Sequence, residues 1–205
     1  MIPKFFYFDL GKVLVDFDVH DMYGQIAEVA GVGPDRVREV LFSGGLQMRY
    51  ERGEIAGQEF YGEFCRQTAT RPDYRALEEA ASDIFSIKPC MLPIVSQMRQ
   101  AGYRLGVLSN TCASHWEHCL RRYRILREAF ETYALSYEIR HAKPEAAIFT
   151  AAAELAGVEP EEIFFTDDCE DHVLGARAVG FDAVQYTSTA ELAAGLRERG
   201  AEFNY

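Results

Sequence analysis

Short, unbroken runs of apolar residues punctuate the 205-residue chain, and stretches with helical periodicity separate them. A strand that is covered on both faces shows such a continuous run, whereas a half-exposed strand alternates apolar and polar residues. Runs of this kind cover residues 4–8, 104–108 and 162–165, with a weaker one at residues 182–185. The pattern therefore predicts an α/β fold in which a parallel sheet lies between layers of helices.

Helical periodicity predicts the elements between these strands. Apolar spacing with closing glycines indicates helices over residues 92–100, 144–154 and 171–179. Residues 16–87 show no convincing strand, and their helical segments lie at residues 21–30, 34–42, 57–68 and 74–85. The second strand begins only after residue 103, which is too late for one ordinary crossover. We therefore expect a core made of residues 1–15 and 88–205, with residues 16–87 inserted as a helical subdomain after the first strand.

Polar residues follow each of the three strong strands, at the point where the strand ends. The first strand runs into the segment DLGK (residues 9–12, with Asp9 and Gly11), the second into SNT (109–111, with Ser109 and Asn110), and the third into TDD (166–168, with Asp167 and Asp168). In an open α/β sheet the ligand binds outside the carboxyl ends of the strands. The three polar ends therefore predict one site at this edge of the sheet.

Asp9 has the chemistry of a nucleophile at such a site. A carboxylate can attack phosphorus and form an acyl-phosphate, which divides one difficult displacement into two easier ones. Two anions approach each other only with help, so we expect a divalent hard cation bound between Asp9 and a second carboxylate. Asp167 or Asp168 is expected to supply that carboxylate, and either or both could serve.

Three further residues suit the binding of a phosphoryl group. Ser109 offers a hydroxyl group, the backbone amide of Asn110 offers a donor, and Lys143 provides a fixed positive charge. Phosphoryl transfer depends mainly on positioning and on stabilisation of negative charge, and these groups supply both.

The charge of the chain limits its partners. The formal net charge is −11, so an acidic surface is expected to repel nucleic acid and anionic membranes. The five cysteines form no CxxC pair and are odd in number, which is typical of free thiols in a reducing compartment. The apolar run at the N-terminus is too short for a signal peptide or a membrane span. We expect a cytoplasmic protein, of unspecified oligomeric state, that acts on a small molecule.

Four segments resemble the motifs of the haloacid dehalogenase superfamily, in the order that the superfamily has them. They are FDLGKVLVDFD (residues 8–18), LSNT (108–111), KPE (143–145) and FFTDDCEDHVLGA (164–176). The resemblance implies a Rossmann-like core with a small helical cap over the site. It also implies a phosphatase that forms an aspartyl-phosphate at Asp9, with Mg²⁺ between Asp9, the Gly11 carbonyl and Asp168, acting on a small phosphorylated metabolite.

The first motif is closest to a branch with the sequence Asp-Leu-Gly, which includes bacterial phosphatases acting on α-glucose 1-phosphate. Most phosphatases of the superfamily have a second aspartate, a general acid and base, where this chain has Gly11. Losing such a group typically costs ~10²–10⁴ in rate. His115, which begins the helix after the second motif and is expected beside the substrate, and Asp16 are candidate substitutes. His172 likewise stands where the fourth motif usually has Asn or Asp, and the adjacent Asp171 could take that role.

Three alternatives remain open from the sequence. A 2-haloacid dehalogenase would also use an aspartate nucleophile but would need no metal, and the paired aspartates argue against it. A catalytically weakened relative that only binds a phosphorylated ligand or a protein would explain Gly11 and His172. A zinc site is the weakest alternative, because its candidate ligands match no common spacing; they are Cys112, His115, His118 and Cys119.

Overall fold

A five-stranded parallel sheet forms the centre of the molecule in the computed structural model, which describes residues 2–204. The strand order is β5-β4-β1-β6-β7. The strands of this part of the chain are β1 (Phe5–Phe8), β2 (Val15–Phe17), β3 (Phe85–Ile87), β4 (Leu105–Ser109), β5 (Thr132–Leu135), β6 (Ile163–Asp167) and β7 (Asp182–Gln185). The predicted α/β fold and all four predicted strands are confirmed.

Helices connect the strands and fill the long segment between β1 and β4. They are α1 (Val19–Ala30), α2 (Pro34–Arg38), α3 (Leu46–Glu51), α4 (Gly57–Thr68), α5 (Tyr74–Ser82), α6 (Met91–Gln100), α7 (Ala113–Arg122), α8 (Arg124–Glu128), α9 (Ser136–Ile139), α10 (Ala146–Ala156), α11 (Glu170–Val179) and α12 (Thr189–Glu198). A π-helical turn, Glu39–Ser43, continues α2. Within residues 2–204, none of the helices has the length and apolar character needed to cross a membrane.

The central strand β1 is buried on both faces, as its unbroken apolar sequence predicts. Successive side chains of a strand point to opposite faces, so Phe6 and Phe8 pack with α6, α7 and α12, while Phe5 and Tyr7 pack with α10 and α11. All four side chains are fully buried. This packing fixes the position of the carboxyl end of β1, where Asp9 follows.

The inserted segment has its own apolar cluster, in which residues of α1, α3, α4 and α5 pack together. Met22 and Ile26 of α1 lie against Leu77 of α5, and Phe64 of α4 is fully buried. The regular spacing of these apolar residues is the pattern that predicts helices here. The boundaries of a separate subdomain stay a prediction.

Two short strands correct the prediction for the ends of the insertion. The sequence predicts no strand in residues 16–87 and a helix over residues 74–85, but α5 ends at Ser82, and β3 follows. β2 and β3 pair in an antiparallel ribbon, with Phe17 opposite Phe85 and their rings 5.6 Å apart. Strands of three residues are too short to show periodicity. The ribbon brings together the two places where the chain enters and leaves the insertion.

Two smaller differences concern the core. The edge strand β5 is absent from the sequence prediction, because its first two residues are only half-buried and it has four residues in all. α10 begins at Ala146 and not at Pro144, since Glu145 still has an extended backbone (φ −61°, ψ 136°). Neither difference moves the polar strand ends.

Candidate active site

Three carboxylates meet at the carboxyl edge of the sheet. Asp9 follows β1, Asp167 ends β6, and Asp168 comes next in the chain. One oxygen of each carboxylate lies within 4.8 Å of the others. Asp9 and Asp167 are buried and Asp168 is half-buried. The neighbouring positions of β1 and β6 in the sheet bring these residues together, as the sequence predicts.

Lys143 enters this cluster from the loop before α10. Its Nζ lies 2.9 Å from Oδ1 of Asp9 and 2.5 Å from Oδ2 of Asp167, and it also donates a hydrogen bond of 3.0 Å to the carbonyl oxygen of Leu108. The lysine side chain is completely buried. A buried ammonium group requires such partners, because an unpaired buried charge is very costly.

The pKa values in the cluster reflect burial and this single cation. Burial raises the pKa of Asp9 to about 6, although Lys143 acts in the opposite direction. Burial also raises the pKa of Asp167, but Lys143 and His172 outweigh it and hold the pKa at about 2. The pKa of Asp168 is raised by burial and then by the negative charge of Asp167. Three carboxylates thus share one lysine, and the cluster has an excess of buried negative charge.

This donor set fits a hard divalent cation. Carboxylate and carbonyl oxygens are the ligands that Mg²⁺ takes in proteins. A cation near Asp9 and Asp168 would remove the electrostatic cost that raises their pKa values. The Gly11 carbonyl belongs to the loop directly after Asp9, and Gly11 lines the adjoining cavity. The individual ligand roles of these residues stay predictions.

His172 stands where the fourth motif usually has Asn or Asp, and its side chain contacts Asp167. Its Nδ1 lies 3.1 Å from both carboxylate oxygens of Asp167, and the backbone N–H of Cys169 donates a further hydrogen bond of 2.8 Å. Asp167 is therefore surrounded by donors, whereas Asp168 is the partly exposed member of the pair. This difference favours Asp168 as the carboxylate nearer to a cation.

Asn110 has a role that the sequence does not predict. Its side chain exchanges two hydrogen bonds with the backbone of Lys143, one of 3.0 Å from Nδ2 to the carbonyl oxygen and one of 2.8 Å from the Lys143 N–H to Oδ1. The pair joins the end of β4 to the lysine loop. Ser109, the last residue of β4, is buried beside it. Asn110 thus positions Lys143, in addition to the substrate contact predicted for its amide.

A cavity of about 260 Å³ opens beside the carboxylate cluster. The core contributes Gly11, Asn110 and His115 to its wall, and the insertion contributes Gln47 and Glu51. A second cavity of about 310 Å³ continues past Lys143 and shares Asn110, Gln47 and Glu51 with the first. Residues of the segment 16–87 therefore line both cavities at the polar edge of the sheet. Sequence reasoning did not predict Gln47 or Glu51 as part of the site.

The two candidate substitutes for a general acid have different positions. His115 is buried and lines the first cavity, and its ring lies 5.2 Å from the ring of Phe85. Burial lowers the pKa of the His115 ring. Asp16 is half-exposed and forms an ion pair of 3.3 Å with Lys88, and it lines neither cavity. His115 is therefore the candidate that lines the first cavity, whereas Asp16 is paired with Lys88.

The zinc alternative finds no support in the described part of the chain. There, the one group of three or more His, Cys, Asp or Glu residues with suitably close ligand atoms is the cluster of Asp9, Asp167 and Asp168. Cys112 and Cys119 are buried free thiols, and burial raises the pKa of each to about 12.

The fold and the four motifs define a known class of protein. The family model described as haloacid dehalogenase-like hydrolase matches residues 4–180, and the chain belongs to this family. The chain is 24% identical over 194 residues to a D-ribitol-5-phosphate phosphatase of Bacteroides thetaiotaomicron, covering 90% of this chain and 92% of that protein. It is also 32% identical over 99 residues to a glyceraldehyde 3-phosphate phosphatase of Methanopyrus kandleri, covering 47% of this chain and 42% of that protein.

Solved structures agree with this assignment. A haloacid dehalogenase family enzyme of Bacteroides thetaiotaomicron, in complex with magnesium and inorganic phosphate, has a TM-score of 0.79 and 27% identity, covering 89% of this chain and 93% of that chain. A predicted hydrolase of the same kind from Porphyromonas gingivalis has a TM-score of 0.82 at 23% identity, covering 96% and 99%. Two curated phosphatases, from Methanopyrus kandleri and Mycobacterium tuberculosis, match over 42% and 53% of their own length, which is about half of each.

Proposed function

We propose that this protein is a Mg²⁺-dependent phosphatase that hydrolyses a small phosphomonoester through an aspartyl-phosphate at Asp9. The observation that carries the proposal is the buried cluster in which Asp9 lies next to Lys143 and within 4.8 Å of two further carboxylates. The names of the relatives support it, since they are phosphatases of small phosphorylated sugars and polyols.

Asp9, the Gly11 carbonyl and Asp168 would hold the metal ion, with Asp167 beside them. When bound, Mg²⁺ would supply positive charge that offsets the negative charge of the phosphoryl oxygens in the transition state. Asp167 keeps Lys143 in place, because its carboxylate accepts a hydrogen bond of 2.5 Å from Nζ. Residues of this protein carry out the chemical steps themselves.

Asp9 attacks the phosphorus atom. The Leu10 N–H donates a hydrogen bond of 2.7 Å to Oδ1, and Lys143 also contacts this oxygen, so the carboxylate has a fixed orientation. A new bond forms between Asp9 and phosphorus as the bond to the leaving oxygen breaks. Lys143, the Ser109 hydroxyl group and the Asn110 backbone N–H stabilise the charge on the phosphoryl oxygens. Water then attacks the aspartyl-phosphate, which releases inorganic phosphate and regenerates Asp9.

Residues 16–87 act as a cap over this site in the proposed function. Gln47 and Glu51 of α3 reach the cavity beside Gly11 and Asn110. The cavities of about 260 and 310 Å³ suit a small metabolite. We propose a sugar or polyol phosphate as substrate, and glucose 1-phosphate stays one candidate among these. Because the chain is acidic, we expect it to bind neither nucleic acid nor membranes. Its cytoplasmic location stays a prediction from the cysteine pattern.

A panel of phosphomonoesters tests the proposal. Phosphate release is expected with Mg²⁺ and is expected to disappear with a chelator, while the same protein releases no halide from 2-haloacids. Halide release that survives chelation would establish the dehalogenase alternative instead. A folded protein that binds inorganic phosphate but turns over none of the panel would support a binding role.

A further inference from the structure

The ring of Phe17 crowds the place of the usual general acid in this protein. A Cβ atom added to Gly11 would lie 2.8 Å from Cε1 of Phe17, closer than real contacts allow. The aromatic ring of Phe17 would therefore have to shift to admit a side chain at position 11, and Gly11 itself has none. A proton donor for the leaving group has to come from another part of the cavity wall.

Glu51, at the end of α3, is placed for this task. It lines the cavity that contains Gly11 and Asn110, and it also lines the second cavity that contains Lys143. Among the described residues, Glu51 is the only acidic residue that lines both. The two cavities meet at Asn110, directly after the strand that carries Ser109. In the proposed function, the leaving group of a phosphomonoester bound at Asp9 occupies the space that these two cavities share.

Two hydrogen bonds of Ser136 connect the backbone of Glu51 to the core. The Ser136 hydroxyl group donates a hydrogen bond of 2.6 Å to the Glu51 carbonyl oxygen. The same hydroxyl oxygen accepts a hydrogen bond of 2.9 Å from the backbone N–H of Thr111, in the loop after β4. Glu51 is thus connected through one side chain to the loop that carries Asn110. Such a fixed position is what a proton donor needs, because proton transfer depends on geometry.

The residues after Glu51 also contact the core. Arg52 forms an ion pair with Glu145, which lies two residues after Lys143. Gly53 has a φ of +64°, and a Cβ atom there would lie 2.0 Å from the Tyr137 carbonyl oxygen. Only glycine allows this approach. Residues 51–53 therefore contact the core at Ser136, Tyr137 and Glu145.

The surroundings of Glu51 favour a carboxyl group that can hold a proton. Burial raises its pKa, while the hydrogen bond of 2.8 Å from Gln47 Nε2 and the nearby His115 act in the opposite direction. His115 has a pKa lowered by burial, and its ring makes a hydrogen bond with the backbone of Ala81. The thiol group of Cys112, also close by, stays protonated because burial raises its pKa.

We propose that Glu51 is the general acid and base of this phosphatase, in place of the residue that Gly11 replaces. The inference rests on the proposed function. In the first step Asp9 bonds to phosphorus, the bond from phosphorus to the leaving oxygen breaks, and the Glu51 proton passes to that oxygen. In the second step Glu51 takes a proton from the attacking water, whose oxygen bonds to phosphorus as the bond between phosphorus and Asp9 breaks. The net reaction consumes one phosphomonoester and one water, and yields one alcohol and one phosphate.

The Glu51→Gln variant tests this role with two kinds of substrate. An alkyl phosphate such as glycerol phosphate releases an alkoxide that needs a proton, whereas p-nitrophenyl phosphate releases a stable phenolate that does not. We expect kcat/KM of Glu51→Gln to fall ~10²–10⁴-fold on the alkyl phosphate and less than about 10-fold on p-nitrophenyl phosphate. Glu28→Gln, an exposed position of α1, is the matched control and is expected to change neither rate.

The outcomes separate this inference from the proposed function. Equal losses on both substrates, or no loss on either, would overturn the role of Glu51 while leaving the phosphatase intact. A wild-type protein that releases phosphate from neither substrate would overturn both. Thermal unfolding of each variant checks folding. If Glu51→Gln does not fold, Glu51→Asp tests the same role. Its shorter side chain moves the carboxyl group away from the leaving oxygen, so only the rate on the alkyl phosphate is expected to fall.

Discussion

Nζ of Lys143 lies 2.9 Å from Oδ1 of Asp9 and 2.5 Å from Oδ2 of Asp167, so one buried cation joins two buried carboxylates. The residues come from distant parts of the sequence and meet at the edge of the sheet. Lys143 in turn is held by Asn110 through two hydrogen bonds. The nucleophile, its counter-ion and the loop that carries the lysine therefore form one connected unit.

The first prediction concerns the loss of that cation. Lys143→Met leaves Asp9 and Asp167 buried without their partner, and breaking a buried pair typically costs about 3–5 kcal/mol. We expect a loss of this size in the free energy of unfolding, measured with urea, and a fall in kcat of at least ~10². Lys4→Met is the control, because Lys4 is exposed in its pair with Glu162 and should cost less than about 1 kcal/mol. A Lys143→Met protein as stable as the control would contradict the account.

A second prediction follows from the raised pKa of Asp9. Because burial raises it to about 6, the folded metal-free protein binds this proton more tightly than the unfolded chain does. The cost of ionised Asp9 is therefore present above about pH 6 and disappears as the pH falls towards the ordinary pKa of the carboxyl group. Asn at position 9 cannot ionise and therefore carries no such cost. The free energy of unfolding of Asp9→Asn should exceed that of the wild type by more at neutral pH than at acid pH. Urea unfolding of both proteins in the presence of a chelator measures this difference in the free energy of unfolding. If the difference does not depend on pH, the pKa of Asp9 is not raised.

A third prediction concerns Gly11 and Phe17. Gly11→Asp should destabilise the protein by about 1–3 kcal/mol, because its Cβ atom would meet the Phe17 ring. In a Phe17→Ala background the same substitution should cost less, and the difference is the coupling energy of a double-mutant cycle. The double variant should also act faster on alkyl phosphates than Phe17→Ala alone. Equal costs in both backgrounds would show that Phe17 does not fill the space.

His172 gives a fourth prediction. Burial raises the pKa of Asp167, and Lys143 and His172 reverse this and hold it at about 2. A lowered pKa adds stability that is present above the ordinary pKa of the carboxyl group and is lost as the pH falls through about 2. His172→Ala removes part of this effect, so the midpoint of acid unfolding should move to higher pH. Mg²⁺ affinity should fall about 10–100-fold. His20→Ala, at an exposed position, is the control and should leave both measurements unchanged.

The sequence predicts the central part of the molecule well. The unbroken apolar runs correspond to β1, β4 and β6, whose residues are all buried. Because the carboxyl ends of parallel strands meet at one edge, the strand prediction places Asp9 and the Asp167–Asp168 pair at the same edge, and the adjacency of β1 and β6 brings their oxygens within 4.8 Å. The ribbon of β2 and β3 does not follow, since each strand has three residues and a half-buried pattern.

The wall of the cavity could not be read from periodicity. The position of Glu51 depends on how the insertion lies on the core, which contacts such as that between Gly53 and Tyr137 determine. The hydrogen bonds between Asn110 and Lys143 join residues 33 positions apart. Periodicity describes one element at a time, so it predicts neither contact.

In the proposed mechanism Asp9 carries the phosphoryl group during turnover. The most direct measurement is the mass of the protein after a rapid acid quench during hydrolysis of a good substrate with Mg²⁺, followed by peptide mapping. We predict an addition of one phosphoryl group on the peptide that contains Asp9. It should be absent from Asp9→Asn and present in the control Asp21→Asn, an exposed aspartate of α1. Turnover without any phosphorylated protein, together with full activity of Asp9→Asn, would contradict the account.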